Sequence, residues 1–341
     1  MAGTSNERGW VAWLARRHAP PPGGLGIGDD AALLPLAPGL QLAATTDWFL
    51  EDLHFRRRER PEDCGYRLAT RALSDLAAMG AEPLALLLSA AWPAGLAASW
   101  RRRLHAGLEA AARDSGAALA GGDLSRAARI AFDIVGLGRV RAGRALLRSG
   151  ARPGDSLWVS GWLGYAAWGR RLGARAQPSD REQRRALARW RRPRARWELG
   201  RRLAQPGRAS ACMDVSDGLS LDLHRLCRAS QVGAMVFAGR LPAPPPAGRS
   251  SRARSAAARR ALDFALYGGE DYELLFTAPA TARARLRRLA SPTLPLTEIG
   301  VITRSRGLWL ELDGGRERLP ERGWDAFDAH GGNRRGGRAT P

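Results

Sequence analysis

The sequence predicts two mixed α/β units, joined near the middle of the chain and sharing one acidic site. Three observations carry this reading. The chain has 341 residues, enough for two domains with cores of ordinary size. Apolar runs with strand-like and helix-like spacing alternate through both halves, separated by Gly and Pro. Acidic residues stand beside Gly, Ser or Thr where such runs end, at Gly28-Asp29-Asp30, Thr45-Thr46-Asp47, Ser74-Asp75, Gly121-Gly122-Asp123 and Asp214-Val215-Ser216-Asp217.

Taken in order, Glu7 to Arg17 reads as a short amphipathic helix, broken by the Pro and Gly of 20–24. The turn from Leu25 to Leu33 follows, where Gly26 and Gly28 let the backbone bend tightly. Leu40 to Thr46 is strand-like and stops at Asp47. A loop to Phe55 carries Trp48, Glu51, Asp52 and His54. Pro61 to Met79 has helical periodicity, with Pro at the first position, Gly80 at the stop and Ser74-Asp75 inside. Leu84 to Ala91 is a strand, and Ala97 to Ser115 a helix ended by Gly116. Ala117 to Ala120 is a strand running into Gly121-Gly122-Asp123, and Ile130 to Val140 alternates as a further strand. Gly143 to Asp155 is the junction, which sets domains of 1–145 and 146–330. Beyond it, Leu157 to Ser160 is a strand, and helices occupy 163–172 and 180–203. The strand Ser210 to Val215 delivers Asp214, Ser216 and Asp217, and Gly218 opens a helix over 219–229. Pro242 to Ala257 has the composition of a mobile loop. Ala261 to Tyr267 is helical and ends at Gly268-Gly269-Glu270-Asp271. A strand (272–277), a helix (281–290) and two short strands follow, and 331–341 reads as a disordered tail.

Composition narrows the chemistry. The net charge is +21, and all 54 basic residues are Arg. Without Lys the chain has no P-loop, protein-kinase or Schiff-base site. Any nucleotide must be held by metal ions, Arg and backbone amides. The Arg runs at 101–103, 181–208 and 249–260 carry little aromatic interleaving, so they read as solvated faces rather than a nucleic-acid surface. Cys64, Cys212 and Cys227 form neither a zinc pattern nor a disulfide framework, which fits a reducing cytoplasm. The segment Trp10 to Arg17 lacks the apolar core of a signal peptide. The longest apolar run, around 84–92, falls short of the roughly 20 residues of a membrane span.

Numerous Asp oxygens, without paired Cys or clustered His, favour magnesium or calcium over zinc or copper. No EF-hand spacing is present, which leaves magnesium. Magnesium is normally shared with substrate phosphates, so the pattern points to phosphoryl transfer. Each Asp taken alone also reads as a helix cap or turn former.

The ordered set resembles the thiamine-monophosphate kinase family. It comprises Gly26-Ile27-Gly28-Asp29-Asp30-Ala31-Ala32, Thr45-Thr46-Asp47, His54-Phe55, the run Leu73 to Ala81, Gly121-Gly122-Asp123, Gly143-Arg144 with Arg148-Ser149-Gly150, Asp214 to Gly218 and Gly268-Gly269-Glu270-Asp271-Tyr272-Glu273-Leu274. The match runs from about Gly26 to Phe327. The resemblance implies an α/β plus α+β fold shared with aminoimidazole ribonucleotide synthetase. The N-terminal sheet would pair in a homodimer, and Leu84 to Ala91 and Ile130 to Leu137 carry enough apolar residues to be buried on both faces. It implies that ATP phosphorylates thiamine monophosphate to thiamine diphosphate, with several Mg2+ ions. Because the acceptor is already a phosphate, mostly dianionic near neutral pH, direct transfer is expected, with no protein catalytic group and no covalent intermediate. By position, Asp30, Thr45, Thr46, Asp47, Asp75, Asp123, Asp214 and Asp217 fall on metal-binding positions. Gly122, Asp123, Arg148 and Ser216 fall on ATP-binding positions, and His54, Glu270 and Trp324 on substrate-binding ones. The chain departs from the family at Asp52, where members often have Gly. The Arg-rich loop of 242–260 and the tail match no family role.

Two other readings compete. One is another ATP-using enzyme of that superfamily, a ribonucleotide synthetase or a selenophosphate synthetase; the latter would want a reactive Cys or Lys near the N-terminus, and neither is present. A nucleic-acid-binding protein would be repelled from phosphates by so many unmetallated Asp.

Overall fold

A computed structural model describes residues 24–25, 27–173, 176–246 and 251–325, with backbone only for 251–254. The expected N-terminal helix, Gly26, Phe327 and the tail lie outside the described residues.

The first sheet has five strands in the order β1-β2-β5-β3-β4: β1 (Ala32–Ala37), β2 (Leu40–Leu50), β3 (Glu82–Trp92), β4 (Ala118–Arg126) and β5 (Ala131–Arg141). Strand β2 continues four residues past the expected stop at Thr46. Its pairing with β5 is unbroken from Leu40↔Arg141 to Leu50↔Ala131, which carries Asp47 inside the ladder. Likewise β4 runs through Gly121-Gly122-Asp123 instead of ending there, because β3 pairs with it as far as Trp92↔Arg126. β1 was missed: its residues, ALLPLA, hold a Pro that reads as a break, but an edge strand tolerates one.

One face of this sheet is covered by α1 (Pro61–Ala78) and α2 (Ala98–Ser115). The two helices cross in backbone contact. A Cβ on Gly65 would stand 1.9 Å from the Leu104 carbonyl oxygen, and one on Gly107 the same distance from that of Glu62. The other face carries Trp48, Leu34 and Leu36, which are 58%, 37% and 51% exposed.

The second sheet has seven strands in the order β12-β11-β8-β10-β6-β9-β7. They are β6 (Ser156–Ser160), β7 (Ala211–Val215), β8 (Gly233–Phe237), β9 (Glu273–Ala278), β10 (Leu296–Thr303), β11 (Leu308–Leu312) and β12 (Gly315–Arg318). The helices of this half are α3 (Tyr165–Leu172), α4 (Arg181–Arg191), α5 (Trp197–Leu203), α6 (Leu219–Ser230), α7 (Ser251–Tyr267) and α8 (Arg283–Arg287). The helix expected over 180–203 is two helices, because Pro193 offers no backbone donor there. The expected loop of 242–257 is helical from Ser251. Its Ala and Arg are strong helix formers that the Pro-rich lead-in obscured. Strand β8 also escaped the sequence reading, being short and close to the end of α6.

Core packing sets the domain seam. α6 contributes Leu219, Leu223 and Leu226, and α7 contributes Ala265 and Leu266, to one core of the second sheet. The other core includes Trp158, Phe276, Leu199 and Leu203, and also Ala77 and Ala78 of α1. Helix α1 therefore serves both halves: Leu68 and Leu73 pack on the five-stranded sheet, and Ala77 and Ala78 join the core of the seven-stranded one.

Candidate active site

The site is built on α1. Arg67, Arg71, Ser74 and Asp75 recur at the three- and four-residue spacing that keeps side chains on one helix face. That face looks at the C-terminal end of β2 on one side and at the end of β7 on the other. Oxygens of Asp30, Asp75 and Asp214 lie within 4.8 Å of one another. They come from the turn before β1, from α1 and from β7, so the cluster exists only when both halves are folded.

Neighbouring hydroxyls hold these carboxylates. Thr45 donates to Asp75 at 2.5 Å, Ser74 to Asp214 at 2.6 Å and Ser216 to Asp214 at 3.2 Å. Arg148 clamps Asp30 through Nε at 3.1 Å and Nη2 at 2.8 Å, and its backbone N–H donates to both oxygens of Asp29. Burial, then the charge of Asp214, raises Asp75 well above the usual carboxylate range. Burial, then the charge of Asp30, pushes Asp214 up to about 7. Asp29 rises to about 7 for the same two reasons. Buried carboxylates that repel one another in this way form a hard-oxygen cradle with unbalanced charge, and a divalent ion fits it.

The other expected ligands lie outside that three-carboxylate group. Asp47 is paired with Arg71 Nη2 at 2.6 Å, close enough to the group for its charge to help raise Asp75. Thr46 follows the strand alternation onto the opposite face of the sheet, where it donates to Asp133 at 2.5 Å. Asp123 pairs in register with Ser89, and Ser89 with Asp133, which puts it on that same outer face. Gly122 packs on β3 so closely that a Cβ would stand 1.8 Å from the Leu88 carbonyl oxygen. Asp217 is bound by Arg225 at 2.5 Å, and its backbone carbonyl accepts the Trp324 N–H at 2.9 Å.

The expected substrate residues do converge, beside Arg71. The rings of His54 and Trp324 are 6.2 Å apart, and His54 stacks on Phe49 at 5.8 Å. His54 Nδ1 accepts the Leu50 N–H at 2.9 Å, which leaves the proton of the neutral ring on Nε2. Burial, followed by Arg71, holds His54 down at about 4. Burial works against the charge of Glu270, yet Arg67, Arg170 and Arg71 outweigh it and keep the group below its usual range. The turn before His54 needs a left-handed residue: Asp52 adopts φ 69°, a conformation Asp tolerates and Gly takes freely. An ion pair with Arg56 at 2.9 Å ties its side chain back.

Other residues of this site escaped the sequence reading. Asp222, fully buried, accepts the N–H groups of Asp217 and Gly218 and so fixes the loop entering α6. An acidic residue in a helix's first turn was the available signal. Within the run 268–274, Asp271 accepts the N–H of Gly164 at 2.5 Å and of Ala166 at 3.1 Å, securing the start of α3. Glu273 is fully buried and takes Arg189, Arg196 and the Ser160 hydroxyl. A cavity of about 630 Å3 at the other end of α6, lined by His224, Cys227 and Arg318 among others, contains none of the expected site residues.

Comparison with known proteins places the chain in a family. The family described as AIR synthase related protein, N-terminal domain, matches residues 28–140, and the corresponding C-terminal domain family matches 152–313. Thiamine-monophosphate kinase of Synechococcus elongatus is 36% identical over 315 residues, covering 89% of this chain and 92% of that protein. The enzyme of Escherichia coli K12 is 36% identical over 307 residues, with the same two coverages. Among solved structures, AaThiL complexed with AMPPCP and TMP superposes with a TM-score of 0.79 at 29% identity, covering 94% of this chain and 97% of that one. Thiamine-monophosphate kinase from Stenotrophomonas maltophilia gives 0.72 at 37% identity, with 92% and 98% covered. With both domain families matched in order and full-length relatives at this identity, the chain belongs to the thiamine-monophosphate kinases of the AIR synthase related family.

Proposed function

We propose that the protein transfers the γ-phosphoryl group of ATP directly to thiamine monophosphate, giving thiamine diphosphate and ADP. The carrying observation is the Asp30–Asp75–Asp214 cluster at the domain seam, with His54, Glu270 and Trp324 converging beside it. Relatives named for this reaction, and a solved relative complexed with AMPPCP and TMP, support it.

Asp30, Asp75 and Asp214 would hold Mg2+, with Thr45 and Ser74 fixing two of those carboxylates. Bound there, the metal supplies charge neutralisation for two anionic groups brought together. Arg148 sits where its guanidinium can pass from Asp30 to a nucleotide phosphate as a charged fork. Ser216, beside Asp214, would offer its hydroxyl to the same nucleotide, while Gly122 and Asp123 would have to reach it from β4. Glu270, kept ionised, would face the cationic thiazolium ring, and Trp324 would offer that ring a stacking surface. His54 donates through Nε2 and orients the acceptor. It need not take a proton, because a phosphate monoester with a second pKa of about 6 is mostly dianionic near neutral pH.

We also propose a cytoplasmic homodimer. Leu42, Leu87, Val135 and Leu137 are only half-buried on the outer face of the first sheet, alongside the exposed Trp48 and Leu36. An apolar face of this size fits a second copy better than solvent. No described helix is long and apolar enough to cross a membrane.

Transfer from ATP of chiral γ-phosphate tests the direct route. One in-line displacement inverts configuration at phosphorus, and retention would require two displacements and overturn it.

A further inference from the structure

Arg71 has no place in the expected site, yet it occupies its centre. It lies one helical turn before Asp75 on α1. Its Nη2 donates to Asp47 at 2.6 Å and its Nη1 to the Tyr272 hydroxyl at 3.3 Å. The side chain is 16% exposed, and its Cζ stands 6.0 Å over the Phe49 ring. Its Nε is buried and has no hydrogen-bond partner among the described residues. A guanidinium presents its donors in a fixed fork. Two arms here are anchored, on Asp47 and on the hydroxyl from the second domain. The charge of Arg71 reaches both His54 and Glu270.

The two acid–Arg pairs of the site behave differently. Asp30 keeps an oxygen within 4.8 Å of Asp75 and Asp214 although Arg148 holds it. Asp47 lies outside that group, although its charge still acts on Asp75, and the cation beside it is seated on α1 against the Phe49 ring.

We infer that Arg71 is a resident cation of this site: it neutralises Asp47 in place of a dissociable metal ion and presents its guanidinium charge to the anionic group of the acceptor. The second half rests on the proposed kinase reaction; the first does not. Physically, a covalently attached cation costs no metal-binding equilibrium and cannot leave with the product. A charge-assisted bond to the acceptor would also select phosphate-bearing acceptors over neutral ones.

The test counts ions as well as turnover. Mn2+ is titrated into the nucleotide-free, full-length protein, and bound ion is counted by electron paramagnetic resonance. Asp47→Asn should bind as many Mn2+ as the wild type, because Asp47 carries none. Loss of an ion in Asp47→Asn overturns the cation role. Arg71→Met should bind one more ion, Arg71→Lys the wild-type number, and Arg71→Met combined with Asp47→Asn should return to the wild-type number. An unchanged count in folded Arg71→Met also overturns it. At saturating Mg2+ and ATP, Arg71→Met should raise the KM for thiamine monophosphate about tenfold or more, the size of a lost charge-assisted bond. An unchanged KM overturns the acceptor role. A wild type that makes no thiamine diphosphate would sink the kinase reading, and the Mn2+ counts would still decide the first half.

Discussion

Replacing Glu273 by Gln should destabilise the C-terminal half. Glu273 is fully buried on β9. It accepts from Arg189 at 2.7 Å, from Arg196 at 2.7 and 2.5 Å, and from Ser160 at 2.6 Å. The Arg196 side chain is itself only 11% exposed. Gln keeps the shape but removes the charge, and its amide turns two donors toward guanidinium donors. Stranding buried cations in this way typically costs about 3–5 kcal/mol. For a domain of this size each kcal/mol lowers the melting temperature by roughly 2–4 °C, so a fall of about 10 °C is expected. Differential scanning calorimetry of both proteins at pH 7.5 reads it. Burial works against the charge of Glu273, but Arg196 and Arg189 outweigh it and hold the group below its usual 4.5. The stabilisation is therefore present above pH 4.5 and is lost as pH falls through the lower folded value. Wild type and variant should converge in acid. A drop under about 2 °C at pH 7.5 would refute the reasoning, because it sits below the range any buried broken pair should give.

His54→Asn should raise the KM for thiamine monophosphate more than it lowers saturated kcat, since His54 positions the acceptor; equal loss in both would count against that role. With His54 held down at about 4, wild type and His54→Asn should share one pH profile for this KM between pH 6 and 8. A wild-type inflection near 6.5 that the variant lacks would show a titrating imidazole. Val135→Asp on the outer face of the first sheet should shift the protein from dimer to monomer in sedimentation. A wild type that is monomeric at micromolar concentration would remove the basis for the dimer.

Most of the fold and much of the site were legible in the sequence, for reasons that particular residues show. Pro61 and Gly80 bracket α1 with strong local signals, and Gly116 ends α2 in the left-handed conformation at φ 72°. The ends of β2 and β4 were misjudged because an Asp or a Gly pair reads as a stop locally. The neighbouring strands continue, however, and the ladder overrides that preference. The acidic residues were legible as a set, but not their grouping. Thr45 and Thr46 are adjacent in sequence and face opposite sides of one sheet, with Asp75 and Asp133 as their respective partners. Arg71 was invisible as one Arg among 54. Only the packing of α1 against Phe49 and Tyr272 sets it apart.

The most direct test of the central claim compares wild type with Asp75→Asn, given ATP, Mg2+ and thiamine monophosphate, with thiamine diphosphate measured by chromatography and folding followed by circular dichroism. Asp75 belongs to the three-carboxylate cluster, while Leu73 and Leu76 on either side of it stay anchored in the core. The account predicts magnesium-dependent thiamine diphosphate from the wild type and none from a folded Asp75→Asn. Full turnover by the variant at saturating magnesium, or no product from the wild type, would contradict it.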